Sequence, residues 1–209
     1  ADPLRAANLL SGKRLYDILH FGHETQVASS GSAVITDCEP IGSNTPLDLL
    51  LVIAGGDPFA VKDRVLFDWL KRRARAGVWL GGVSGGPVIL ANAGLMDGRR
   101  MTVHWEHAAE MTGRFPDLIV EKRLYVIDRD RVTCGGGTAP LDFVYALLSD
   151  HHGSDFARRV SDWFLHTEIR AATSPQQSGA LGGETTRSPH IQPVVAAMQD
   201  HTGDPLSLE

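Results

Sequence analysis

The sequence predicts an α/β fold in which helices cover both faces of a mostly parallel sheet. Two apolar runs carry this prediction. Residues 47–56, LDLLLVIAGG, contain five consecutive large apolar residues and end in two glycines, which is typical of a strand covered on both faces. Residues 78–83 form the second run, between one helical pattern and another. Strand, helix, strand and helix in this order indicate a right-handed crossover between parallel strands.

The residues before this unit predict a helix and three short strands. The chain opens on ADPLRAANLLSG, an amphipathic helix pattern with Pro3 in its first turn. Because neither an initiator Met nor a strand precedes this helix, we expect the chain to begin inside its domain, with a first strand left out. Apolar and polar residues alternate in 14–21, as in a half-buried strand, and 26–35 predict a strand, a turn and a strand.

Capping residues and periodicity predict the elements after residue 56. Asp57 and Pro58 are suited to begin a helix that ends at Gly77. Downstream, the same criteria predict a strand over 99–105, a helix over 106–115, a hairpin over 118–134, and helices over 138–152 and 154–169, the last one capped by Ser154.

The α/β unit is expected to end near residue 170. Residues 171–188 are rich in Ser, Gly, Gln and Thr without apolar periodicity, which predicts an exposed linker. The segment 189–209 has apolar residues at helical spacing, so it predicts a helix whose apolar face a further part of the chain would cover. These residues are Ile191, Val194, Val195 and Met198.

Composition and charge exclude several classes of protein. The 209 residues suggest one domain with a normal core, since 43% are hydrophobic. A net charge of -5 without a long basic run makes the chain, as it stands, a poor DNA binder. Cys38 and Cys134 are too few for a disulfide framework, and no signal peptide or membrane-length apolar run is present. We therefore expect a protein of the reducing cytoplasm that needs no metal and no cofactor.

Two groups that suggest chemistry have a plainer interpretation. Cys134 precedes three glycines, and without a cationic or basic neighbour it is expected to be a buried cysteine with no reactive role. Asp150, His151 and His152 are expected to form a solvated helix end and not a metal site, because adjacent histidines on a helix point in different directions.

The segment GGVSGG holds the strongest candidate for chemistry. Gly82 to Gly86 match the pattern G-x-S-x-G, between a predicted strand and a predicted helix. Glycines on both sides of a sharp turn let Ser84 adopt a strained backbone conformation with its hydroxyl aimed outward. Gly55, Gly56 and Ser84 follow neighbouring strands, so they should share one crevice at the carboxyl ends of the sheet. By itself the motif indicates an esterase or a peptidase.

A serine nucleophile also needs a histidine base and a carboxylate that orients it. No histidine lies in a predicted loop with an obvious acidic partner, and no HGGG-type oxyanion loop precedes the motif. These absences argue against a serine hydrolase, although the motif itself favours one. The histidines considered are His104, His107, His151, His152 and His166.

Several motifs in order carry a resemblance to a known family. GGVSGGPVILANAGLMDGRRMTVHWE, LLLVIAGGDP before it and VTCGGGTAPLDFVYALL after it resemble the DJ-1/PfpI (class I glutamine amidotransferase-like) domain. This domain forms the amino-terminal half of a group of AraC-family transcription regulators. The opening PLRAANLLSGKRLYDI and the later SSG are similar to the subgroup that senses arginine, glycine betaine or carnitine. The resemblance covers residues 1–170 and implies a flavodoxin-like three-layer sandwich.

The resemblance also bears on the role of Ser84. In the family's enzymes the residue at this turn is a cysteine, often followed by histidine, with a carboxylate near the first helix. This chain has Ser84, Gly85 and, near the first helix, Asp2. A thiolate can form near neutral pH, whereas a serine hydroxyl needs a positioned base. We therefore expect no catalytic residue here, and a turn whose hydroxyl and helix-start amides hold a carboxylate.

The crevice is then expected to bind a small amino acid derivative or a quaternary amine. Trp105 offers an indole face for a cation, although a core or subunit contact is the commoner role, and His104 has the alternative role of capping a hydrogen bond. The glycines 135–137 match no nucleotide motif and are expected to allow close backbone approach. The predicted ligand-binding residues are Gly55, Gly56, Asp57, Ser84, Gly85, His104, Trp105 and Thr138.

Taken together, the resemblance implies the sensor and dimerisation domain of a bacterial AraC-family regulator. Residues 189–209 resemble the start of its DNA-binding region, so the helix-turn-helix motifs would follow residue 209; the alternative is a disordered or docked tail. The expected partners are a small-molecule effector, DNA through that region, and a second copy of the chain. Two alternatives stay open: a serine hydrolase or residual amidase that uses Ser84, and a dimerisation module with an empty pocket.

Overall fold

The computed structural model describes residues 1–29 and 31–177, in which helices and short strands form an α/β fold. The strands are β1 (Phe21–Gly22), β2 (Val27–Ala28), β3 (Val34–Ile35), β4 (Glu39–Pro40), β5 (Leu49–Ala54), β6 (Trp79–Ser84), β7 (Arg100–Met101), β8 (Ile119–Val120), β9 (Tyr125–Asp128) and β10 (Arg131–Cys134). The helices are α1 (Asp2–Ser11), α2 (Arg64–Arg75), α3 (Gly86–Asn92), α4 (Trp105–Arg114), α5 (Ala139–His152) and α6 (Ser154–Trp163).

The central sheet has the strand order β5–β6–β10–β9. Strands β5, β6 and β10 are parallel, and β9 pairs antiparallel with β10 in the predicted hairpin. In this register Ala54 lies beside Ser84, and Cys134 lies beside Val83. The predicted mostly parallel sheet is therefore confirmed, and three strand ends meet at one edge.

Two apolar cores cover the two faces of this sheet. Leu80 of β6 belongs to the core that includes Trp69 of α2 and Leu90 of α3. Val83, three residues further along the same strand, belongs to the opposite core, with Phe143 of α5 and Ala7 of α1. Side chains three apart in a strand point to opposite faces, so helices lie on both sides. The predicted three-layer α/β sandwich is confirmed.

Strand β5 is less buried than its sequence predicts. Leu50 is buried, but Ile53 is 71% exposed. Strand β5 is also an edge strand of the described sheet, paired there with β6. The unbroken apolar run thus marks an edge strand of the described sheet that is only partly covered.

The strand predicted over 14–21 is wrong except at its end. The N–H groups of Leu15 and Tyr16 donate to the side-chain oxygen of Asn8, at 2.8 and 2.9 Å. They therefore do not pair with a neighbouring strand, and only β1 does so, with β4. Both strands predicted within 26–35 are confirmed, because β2 and β3 pair antiparallel.

Capping explains why the helix predicted from Asp57 to Gly77 is two elements. The Asp57 side chain caps a 3₁₀ turn, Pro58–Ala60, and Asp63 caps α2 by accepting from the Leu66 N–H. The backbone is extended between them, at Val61, which separates the turn from the helix.

The other predicted elements have smaller corrections. The strand predicted over 99–105 is reduced to β7. Helix α6 begins at Ser154, but its N-cap is Gly153, and no side chain caps it. The predicted first helix, α4 and α5 are confirmed within a few residues.

The end of α5 differs from the prediction that its two histidines diverge. His151 Nδ1 and His152 Nε2 both lie 3.0 Å from the Tyr16 hydroxyl. Tyr16 therefore ties the segment after α1 to the end of α5, although both histidines remain exposed.

Ala1–Ser174 form one compact unit. The boundary near residue 170 and the linker 171–188 stay predictions, and the segment 189–209 lies outside the described residues. Over residues 1–29 and 31–177, each helix is too short or too polar to span a membrane. In the same ranges, no three His, Cys, Asp or Glu side chains converge as metal ligands would.

Candidate functional site

The carboxyl ends of three parallel strands meet at one edge of the sheet. Ala54 ends β5, Ser84 ends β6, and Cys134 ends β10. Each of these ends leads into glycines, at Gly55, at Gly85 and at Gly135. Ligands bind at this edge in open α/β sheets, so the predicted crevice lies where the fold is expected to carry a site.

Ser84 has a strained backbone, as predicted. Its φ is 60°, a conformation that costs an L-residue roughly 1–2 kcal/mol. The flanking glycines make the turn possible. A Cβ on Gly86 would lie 1.9 Å from the Val52 carbonyl oxygen, and one on Gly82 would lie 2.4 Å from the Pro87 nitrogen. Both contacts are far shorter than real side chains tolerate, so helix α3 can cross β5 and β6 this closely only at glycine.

One of the glycines after β10, Gly136, approaches Ser84 closely. Gly136 has a φ of 88°, and a Cβ on it would lie 2.7 Å from the Ser84 Cβ and 3.1 Å from Ser84 Oγ. A Cβ on Gly85 would lie 2.9 Å from Pro58 Cγ, which belongs to the turn after Gly56. The three strand ends are therefore in direct contact, as expected of one crevice.

The amides at the start of α3 are less available than the sequence predicts. The Gly85 N–H donates to the Ala54 carbonyl at 3.0 Å, and the Val88 N–H donates to Gly85 at 3.1 Å. Pro87 has no N–H to offer. Of the amides expected to hold a carboxylate, only that of Gly86 remains to be considered.

The histidines near Ser84 have other roles. The His104 N–H donates to the Ser84 carbonyl at 3.2 Å, while its ring nitrogen Nδ1 accepts from the Glu106 N–H at 3.4 Å and caps α4. His166 binds Asp142. Over the described ranges, none of the hydrogen bonds joins Ser84 Oγ to an imidazole. Asp2, the acid near the first helix, pairs with Arg5 on the surface instead.

Two rings lie close to the ring of His104, the residue whose backbone N–H contacts Ser84. The Trp105 ring lies 5.4 Å from the His104 ring, and the His107 ring lies 6.1 Å from it. Trp105 is 46% exposed, so it is not part of the core. An indole with an accessible face can bind a cation through its ring electrons.

The last two predicted ligand residues have defined partners. The Asp57 carboxylate accepts from the N–H groups of Phe59 and Ala60, at 3.0 and 3.3 Å, so capping occupies one of its oxygens. Thr138 is exposed, and its hydroxyl oxygen accepts from Arg170 Nη2 at 2.8 Å. The Thr138 O–H can still donate to a ligand.

Sequence reasoning missed the charged residues behind Thr138. Asp142 is fully buried and binds both His166 and Arg170. The sequence did give one indication of these contacts. Asp142 lies among the apolar residues at the start of α5, and a buried carboxylate requires hydrogen-bond or charged partners. The partners themselves lie 24 and 28 residues away and could not be inferred from spacing.

Cys134 is buried as predicted, with 1% of its surface exposed. Burial raises the pKa of its thiol from 9.0 to about 11. The thiol is therefore protonated at neutral pH, where a thiolate would be needed for reaction.

A groove of about 430 Å³ lies elsewhere, between the segment 18–20 and the residues 34–39. None of the predicted ligand residues lines it. We place the candidate site at the strand ends and not in this groove, because the strained Ser84, the close approach of Gly136 and the contact of His104 with Ser84 lie there.

The fold and the site define an α/β domain of the flavodoxin-like type with a serine at the sharp turn after a central strand. Comparison with known families agrees with this class. The model of the DJ-1/PfpI family matches residues 17–150, and the chain belongs to that family.

Three known proteins illustrate the similarity. The HTH-type transcriptional regulator GlxA of Rhizobium meliloti (strain 1021) is 40% identical over 209 residues, which cover 98% of this chain and 64% of GlxA. The chain therefore spans less than two thirds of that relative. A crystal structure of an AraC family transcriptional regulator from Pseudomonas putida has a TM-score of 0.69 and 25% identity, covering 78% of this chain and 88% of the other. Isonitrile hydratase of Pseudomonas putida is 28% identical over 160 residues, covering 69% of this chain and 68% of the enzyme.

Proposed function

We propose that the chain is the effector-binding and dimerisation domain of an AraC-family DNA-binding transcription regulator, without enzymatic activity of its own. The similarity to an HTH-type regulator over 98% of the chain supports this proposal. DNA would be bound by a helix-turn-helix region that follows residue 209. The net charge of -5 is compatible with a domain that does not touch DNA itself.

The environment of Ser84 is the observation that carries the proposal. Its hydroxyl is presented on a strained turn, and within the described ranges none of the hydrogen bonds joins it to an imidazole; His104 contacts the Ser84 carbonyl through its backbone N–H and uses its ring nitrogen Nδ1 to cap α4. Attack by a serine requires transfer of its proton to a base within hydrogen-bonding reach. A hydroxyl without such a base can still bind a ligand by donating and accepting hydrogen bonds.

The proposed effector is a small amino acid derivative or a quaternary amine. The hydroxyls of Ser84 and Thr138 would bind its carboxylate, together with the backbone at Gly55 and Gly56. The accessible face of Trp105 would bind its cationic group, a contribution of about 0.5–2 kcal/mol. A compact zwitterion satisfies both requirements at once.

Two further features belong to the proposal. A homodimer is expected because symmetric regulators read paired half-sites on DNA. The cytoplasm is the expected compartment because a bacterial regulator acts there, and because both cysteines are free.

A thermal-shift measurement tests the proposal. L-Arginine, glycine betaine, dimethylglycine and carnitine are each added to the 209-residue chain. A ligand at 100 times its Kd stabilises the folded form by about 2.7 kcal/mol and raises the Tm by about 5–10 °C. Ser84→Ala should reduce this shift. Ser154→Ala, the same change at an exposed serine away from the crevice, should leave it unchanged.

A serine hydrolase or residual amidase that uses Ser84 is the alternative. The strained turn at Ser84 and the similarity to isonitrile hydratase favour it. Turnover of ester or amide substrates that is lost in Ser84→Ala, without a Tm response to any of the four compounds, would support the enzyme and reject the sensor.

A further inference from the structure

A buried carboxylate lies directly behind the loop that follows β10. Asp142, in the first turn of α5, has no exposed surface. Its Oδ1 accepts from His166 Nε2 at 2.8 Å and from the Arg170 N–H at 2.9 Å. Its Oδ2 accepts from Arg170 Nε at 3.0 Å and from Nη2 at 2.7 Å. Asp142 therefore holds the backbone and the side chain of Arg170 together, with a geometry that lysine cannot reproduce.

Arg170 also reaches the candidate site. The same Nη2 that binds Asp142 donates to Thr138 Oγ1 at 2.8 Å. Thr138 is the N-cap of α5 and lies two residues after Gly136, which packs on Ser84. One guanidinium group thus joins a residue of the crevice to the segment through which the chain leaves the compact unit, which ends at Ser174.

A second connection runs through the backbone. The Gly135 N–H donates to the Leu124 carbonyl at 2.8 Å, and the Leu124 N–H donates to the Ala172 carbonyl at 2.9 Å. The loop 135–138 is therefore tied to residues 170–172 twice, once by side chains and once by main chain. A movement of this loop must either carry the segment 170–172 with it or break one of the two connections.

We propose that Arg170 is a positioning residue of the effector site, and that it transmits occupancy of the loop 135–138 to the segment 166–174. This inference rests on the proposed function. An effector that binds Thr138 fixes the hydroxyl that Arg170 contacts, so it favours the arrangement in which residues 170–172 are held against α5 and β9. A ligand changes the equilibrium only by such a difference in affinity between two arrangements.

Hydrogen exchange read by mass spectrometry tests the inference on the 209-residue chain. Exchange of peptides within 166–174 is compared with and without glycine betaine, and with and without L-arginine. In the wild type, the compound that raises the Tm should slow exchange in this segment by about threefold or more. Thr138→Val, which removes the hydroxyl that Arg170 contacts, should lose most of this slowing when the ligand is saturating.

Two further variants separate transmission from general structure. Arg170→Lys keeps the charge but loses the forked contact, and should also lose most of the slowing. Thr112→Val on α4 makes the same change as Thr138→Val away from the site, and should respond as the wild type does. Arg158→Lys, on the exposed face of α6, is the matched control for Arg170→Lys and should also show the slowing of the wild type.

The outcomes distinguish this inference from the proposed function. If no compound changes the Tm of the wild type, the proposed function fails and the inference fails with it. If a compound raises the Tm but exchange in 166–174 does not change, only the inference is overturned. The inference is likewise overturned if Thr138→Val and Arg170→Lys bind the compound and show the full slowing.

Discussion

Replacing Ser84 with glycine is expected to stabilise the protein, although it removes the hydroxyl from the candidate site. The φ of 60° at Ser84 costs an L-residue roughly 1–2 kcal/mol, and glycine does not bear this cost. Glycine loses more backbone entropy on folding, which costs roughly 0.5–1 kcal/mol. The balance is a gain of about 0.5–1 kcal/mol in the free energy of unfolding. For a domain of this size the Tm should rise by about 1–4 °C.

The assay compares urea unfolding of the wild type with that of Ser84→Gly and Ser84→Ala. Alanine keeps the strained φ and removes only the hydroxyl, so its free energy of unfolding should stay within about 0.5 kcal/mol of the wild type. Both variants should respond less to an effector. If glycine is no more stable than alanine at this position, the turn stores no strain and the reasoning is refuted.

Three more predictions follow from the close contacts and the buried groups. Gly136→Ala should lower the free energy of unfolding by about 1–3 kcal/mol, because its Cβ would lie 2.7 Å from the Cβ of the neighbouring serine. Gly98→Ala, with φ of 63° and open space around it, should cost only the backbone strain of about 1 kcal/mol in the same urea assay. Asp142→Asn should destabilise the protein by about 3 kcal/mol, since it leaves the half-buried guanidinium of Arg170 without its carboxylate partner, whereas Asp2→Asn on the surface should change little by calorimetry. Burial raises the pKa of Cys134 from 9.0 to about 11, so the unfolded chain loses this proton first. The contribution of the Cys134 thiol to stability is complete below pH 9 and is lost as the pH rises through about 11. Cys134→Ala should therefore reduce the fall in the free energy of unfolding between pH 9 and pH 11. A fall as steep as that of the wild type would contradict this.

Features that depend on nearby residues could be predicted from the sequence. The strained turn at Ser84 was predicted from the glycines two positions on either side of it, a pattern that lies within five residues of the chain. The helices α1 and α5 and the hairpin β9–β10 follow from periodicity and turn residues within a few positions. The order of strands and helices placed the strand ends before Gly55 and at Ser84 at one edge, since parallel strands place their carboxyl ends together; the third strand end, at Cys134, was shown there only by the structure.

Features that depend on distant parts of the chain could not be predicted. The sequence could not indicate that β5 lies at an edge, that the amide of Gly85 is used by Ala54, or that Arg170 folds back onto Asp142. Each of these three features depends on a backbone or charged group that is distant in the sequence but lies close in the folded chain. Local conformation is thus determined within a few residues, whereas burial and hydrogen-bond partners are decided only when the chain packs against itself.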